Sequence, residues 1–111
     1  MRKYLKVNNT KGVTHLKIEV YYHLGGYNYF TYKQEERGYY ISVSPVERSD
    51  RNGCVMESYT AFSGTKYCLH KVQRKSTKAE QIANEKALQC EKALVEMVCN
   101  ANGIKTEDLE K

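Results

Sequence analysis

A chain of 111 residues, 41% hydrophobic and 28% charged, suffices for one domain with a modest core and is apolar enough that disorder is not the default. Its formal charge of +5 directs attention to anionic partners, and no window approaches the ~18 consecutive apolar residues that a membrane span needs. Cys54, Cys68, Cys90 and Cys99 include no Cys-x-x-Cys pair, so neither a zinc site nor a disulfide framework is expected. The thiols read as reduced and mostly buried.

The first twelve residues carry Arg2, Lys3, Lys6 and Lys11 with no acid. No apolar run follows them, so no secretory signal is expected and the cytoplasm is the expected location. A short strand fits residues 3–7. In "HLKIEVYYHL" (residues 15–24), Leu16, Ile18, Val20, Tyr22 and Leu24 alternate with Lys17, Glu19, Tyr21 and His23, the period of a half-buried strand. Gly25-Gly26 then suits a two-residue hairpin turn, with "YNYFTYK" returning as the second strand. That register places Leu24 opposite Tyr27, Tyr22 opposite Tyr29 and Val20 opposite Thr31 on the core side. Tyr21 then faces Phe30, and Glu19 faces Tyr32, on the outer side.

"YYISVSP" reads as a third strand whose ladder Pro45 ends. "VERSDRNG" is turn-rich, and "CVMESYTAF" reads as a fourth strand. For residues 65–74, Cys68, Leu69 and Val72 favour a short helix over a strand. Residues 66–78 hold Lys66, Lys71, Arg74, Lys75 and Lys78 with no acid, so this run and the first twelve residues carry all the excess positive charge. The final helix is the clearest element. Thr77 and Glu80 have capping-box spacing, and Ala79, Ala83, Ala87, Cys90, Leu94, Met97, Val98 and Ala101 form the buried stripe. Leu88 and Val95 lie off that stripe and read as contacts to a neighbouring element or a second subunit. Asn102-Gly103 closes the helix.

These elements predict an α+β domain over residues 1–103, with an antiparallel sheet of four to five strands and a long C-terminal helix on one face. Residues 104–111 are expected to fray. On the open face, Lys17, Tyr21, Phe30, Tyr32 and Tyr40 would form an aromatic and basic cluster. Single-stranded nucleic acid is bound by such surfaces, rings stacking on bases and cations meeting phosphates. The basic run at Lys66, Lys71, Arg74, Lys75 and Lys78 would assist, lying just before and across a helix start. A protein-interaction or structural module, including a homodimer through the same face, is the alternative reading. No catalytic constellation, metal site or cofactor site is found. His15, His23 and His70 have no evident nucleophile and orienting acid, and Glu35-Glu36 read as solvated turn carboxylates. The expected partners are therefore nucleic acid, another protein or a second copy, with no membrane.

"RGYYISVS" (residues 37–44) resembles the RNP signature of RNA-recognition motifs only in its basic, glycine and aromatic start, and that fold is not expected, since it needs two helices, one of them between the first two strands. The stretch departs from the signature at Tyr40, where a small residue is expected, and at Ile41, where an aromatic is. The longer run "VTHLKIEVYYHLGGYNYFTYKQEERGYYISVSPVER" resembles short uncharacterised proteins of gut bacteria, often carried on phage-like or conjugative elements. This resemblance covers residues 3–75 and implies an accessory role toward nucleic acid or toward host or element proteins. It assigns no functional residues.

Overall fold

In a computed structural model that describes residues 1–110, the chain runs through β1 (Arg2–Val7), β2 (His15–His23), β3 (Gly26–Asn28), β4 (Lys33–Glu35), β5 (Gly38–Arg51), β6 (Cys54–Tyr59) and β7 (Thr65–Lys71). The helix α1 (Thr77–Asn102), a 3-10 turn (Thr106–Asp108) and β8 (Leu109–Glu110) complete it. All pairings are antiparallel: six strands form one sheet, and β3 and β4 pair only with each other. The α+β class and the single long helix on one sheet face follow the sequence pattern.

β2 alternates as its sequence dictates. Leu16, Ile18 and Val20 are buried under α1 with Tyr39, Ile41 and Val43 of β5, Leu69 of β7 and Val7 of β1. From the helix come Ala79, Ala83, Ala87, Leu94, Val95, Val98 and Cys99. The alanines let the backbone approach the sheet closely. Val95, placed off the stripe by the sequence, is core, while Leu88 and Met97 are exposed. The N-cap is Ser76, whose Oγ accepts from Ala79 N at 3.0 Å, one residue before the expected capping box. Gly103 ends the helix at φ 70°, the left-handed conformation that glycine adopts without penalty.

The hairpin expected at Gly25-Gly26 does not form. β2 pairs with β5, with Tyr21 opposite Tyr40 and Tyr22 opposite Tyr39. Residues 26–35 instead leave the sheet as a separate two-stranded arm. Leu24, Tyr27 and Tyr29, expected in the core, are exposed. The reason is competition for one edge: "GYYISV" offers β2 a longer β-branched and aromatic partner than the glycine- and asparagine-containing "GGYNYF".

β5 is long because Pro45 does not stop it. The proline lies opposite Leu16, and the strand continues to Arg51. Val46 pairs with His15 of β2 on one side and Tyr59 of β6 on the other, so β6 and β7 follow one another along the same edge of β5. β7 replaces the helix expected at residues 65–74. A bulge places Leu69 between Cys68, opposite Tyr40, and His70, opposite Tyr39, and this extra residue masks the strand period. Residues 104–110 are held rather than frayed. Ile104 is buried, and Leu109 and Glu110 pair with Val7 and Lys6.

All four cysteines are free; Cys99 is buried and Cys54 exposed. Among the described residues no helix is long and apolar enough to cross a membrane. Gly38 begins β5 where β7 passes very close: a Cβ there would collide with the His70 carbonyl and sit 2.9 Å from Lys71 Cα. Gly38→Ala is therefore expected to cost about 2 kcal/mol or more, read as a lowered urea midpoint with an unchanged m-value.

Candidate nucleic-acid interface

The arm has a local logic of its own. Asn28 Oδ1 accepts from Phe30 N at 2.9 Å and Thr31 N at 3.2 Å, the side-chain turn that asparagine favours. Tyr32 N closes it by donating to Asn28 O at 2.8 Å. The tip so formed displays Tyr29 at 78%, Phe30 at 97% and Tyr32 at 79% exposure. Tyr32 sits at φ 58°, a left-handed conformation uncommon and costly for a bulky residue.

The arm's root is tied to the basic segment. Arg37 Nε donates to Leu24 O at 3.0 Å and its Nη1 to Gln73 O at 3.5 Å, while Lys71 pairs with Glu36 at 3.0 Å. An open depression of about 450 Å³ lies between them, lined by Leu24, Gly26, Gln34, Arg37, Lys71 and Gln73. Arg74, Lys75 and Lys78 follow immediately. Together with Lys33, they make no ion pair among the described residues, and Lys75 lies 5.7 Å from the Tyr22 ring centroid.

The expected sheet-face cluster is not one surface. Lys17 is only 8% exposed. The far end of β5 and β6 curls over the outer face, bringing Glu57 onto Tyr4 and Lys17 although β2 and β5 separate β1 from β6 in the sheet. Glu57 accepts from Tyr4 Oη at 2.6 Å and Lys17 Nζ at 2.9 Å, and Arg48 stacks 4.0 Å from the Tyr4 ring centroid. The hydrogen bond to Glu57 pushes the Lys17 ammonium above its ordinary value, while those from Tyr4, then Lys17, keep the Glu57 carboxyl below the usual range. Tyr40 is 6% exposed, donates to Glu36 O at 2.7 Å and stacks on Tyr21 with centroids 6.1 Å apart. Burial, then the Glu35 charge, pushes Tyr21 up to about 12. Lys17 and Tyr40 are thus unavailable to a ligand and Tyr21 is half-buried, whereas Phe30 and Tyr32 stand on the arm.

Lys66 is also committed. Its Nζ reaches Glu35 Oε1 at 2.6 Å; Asn28 Nδ2 donates to the same oxygen at 3.0 Å, and His23 Nε2 lies 3.0 Å from Oε2. His23 Nδ1 accepts from Gly25 N at 2.7 Å, so a neutral His23 carries its proton on Nε2 and donates it to Glu35. Lys66, then Asn28, holds the Glu35 carboxyl below its ordinary range. Glu35 is thus no solvated turn residue. Neither Glu35, Glu57 nor Tyr29 was legible as functional from spacing. The Asn28 turn was the one local signal for the arm.

Exposed ion pairs contribute little, so Lys71 can exchange Glu36 for a phosphate, and Arg74, Lys75 and Lys78 have no carboxylate to leave among the described residues. The arrangement can offer rings to bases and cations to phosphates at one end of the sheet. Glu57 has the opposite, structural role. Its depressed folded value means that it contributes stability above the ordinary carboxylate range and loses it as pH falls through that depressed value. Wild type is expected to exceed Glu57→Gln by about 2 kcal/mol at neutral pH, the gap closing on acidification in urea titrations. Comparison of the chain with protein-family models, curated proteins and solved structures finds no match.

Proposed function

We propose that the chain is a small non-enzymatic module that binds nucleic acid through the arm tip and the basic loop beside it. The observation that carries this reading is the exposure of Tyr29, Phe30 and Tyr32 on an arm whose root touches the acid-free run 66–78. A base can stack on such rings at ~1–3 kcal/mol each, while Lys71, Arg74, Lys75 and Lys78 meet the backbone. Tyr32 adds support: its backbone favours glycine or asparagine, so the ring is retained against a local cost. An accessory role on a mobile element, which the sequence resemblance implies, accords with this activity.

A second reading rests on β6. Val55, Met56 and Tyr59 are exposed there on a strand with one unpaired edge, a surface that suits a protein partner or a second copy.

Fluorescence anisotropy with single-stranded DNA, RNA and duplex at rising salt separates the two. Phosphate binding requires log K to fall linearly with log salt, and Arg74→Ala or Lys78→Ala should each flatten that slope by about 1. Phe30→Ala should weaken binding by ~1–3 kcal/mol with the slope unchanged. No binding at low salt, with a dimer by light scattering, would overturn the nucleic-acid reading. Tyr32→Gly is expected to leave thermal stability equal or higher, because it relieves the positive φ, while still weakening binding.

A further inference from the structure

We infer that Glu35 is a positioning residue, the latch that holds the aromatic arm against the sheet. β3 and β4 pair with no other strand, and a lone two-stranded hairpin is marginal in water. The arm joins the sheet through Gly25 and Gly26 on one side and Glu36 to Gly38 on the other. Gly25 is packed against the other side of the root, a Cβ there lying 2.9 Å from Arg37 N, but Gly26, at φ 118° with nothing within 4 Å of a Cβ position, gives the arm a point of little steric resistance. The root has its own ties, through Arg37 and the Lys71–Glu36 pair; beyond the root, the side-chain bonds between the arm and the sheet converge on one carboxylate. Glu35 of β4 takes Lys66 of β7 at 2.6 Å and His23 of β2 at 3.0 Å, while Asn28 of β3 bonds to it from within the arm at 3.0 Å. Asn28 also builds the tip turn, so the latch is continuous with the geometry that presents Phe30 and Tyr32. Charge-assisted bonds of this kind are the strong ones, and a held arm does not have to be ordered at the moment of binding.

The latch concerns the free protein; only its consequence for ligand affinity rests on the reading proposed above. The test is ¹⁵N relaxation on the whole chain without ligand. In wild type, backbone order parameters for residues 27–34 should sit near those of β2 and β5, about 0.85; in Glu35→Gln they should fall below about 0.6 while both sheet strands stay rigid. Lys66→Met should loosen the arm in the same way, Lys66→Arg should not, and Glu35→Gln with Lys66→Met should be no looser than either alone. An arm that stays ordered in Glu35→Gln, or a sheet that loosens with it, overturns the latch. Failure of nucleic-acid binding leaves it standing.

Discussion

The pairing of β5 with β2 organises the molecule. With Tyr22 opposite Tyr39 and Val43 opposite Ile18, each strand's apolar residues fall on the face that α1 covers. A slip of one residue would turn that whole set outward, so the buried face holds the register against alternatives. The same pairing leaves residues 24–37 to span from the end of one strand to the start of the next. The β3–β4 arm is the result. It is not an element appended to the fold but the surplus chain between two strands that found each other.

β5 also outruns its partner. β2 ends its pairing at Val46, opposite His15, and residues 47–51 continue with β6 alone. Unsupported on one edge, this end twists over the outer face and delivers Glu57 to Lys17 and Tyr4. A lysine on the middle of a sheet face would otherwise be a natural contact for an anion. Here it is desolvated and neutralised by its own chain, and the outer face is closed as a continuous ligand surface.

Two carboxylates therefore divide the outer face. Glu57 fastens the β6 end and Glu35 fastens the arm end, each gathering three polar partners. Between them Tyr21 and Tyr40 stack on each other. The most exposed rings, Tyr29, Phe30 and Tyr32, lie beyond the Glu35 fastening, next to a loop whose Arg74, Lys75 and Lys78 make no ion pair among the described residues. Charge and exposure coincide at that one end of the sheet.

Local features were readable from residues because their causes are local. The period of two in residues 15–23, the alanine stripe and glycine stop of α1, and the basic run 66–78 depend on neighbours within a few positions. They sufficed for the α+β class, the helix and the charge layout. Which strand β2 would choose was not readable, because Gly25-Gly26 is a sound turn and only the comparison of two distant segments rejects it. The strand at 65–71 was hidden by the Leu69 bulge, whose reason lies in the core it fills. The fate of Lys17 and Lys66 was decided by Glu57 and Glu35, 40 and 31 residues away along the chain, and that of Tyr40 by stacking on Tyr21 across the β2–β5 pair, none of which a spacing rule connects. Sequence by itself determined β2, α1 and the charge layout, whose causes are local; tertiary structure decided the strand partners, the arm and β7, and which outward groups meet one another and which still meet water.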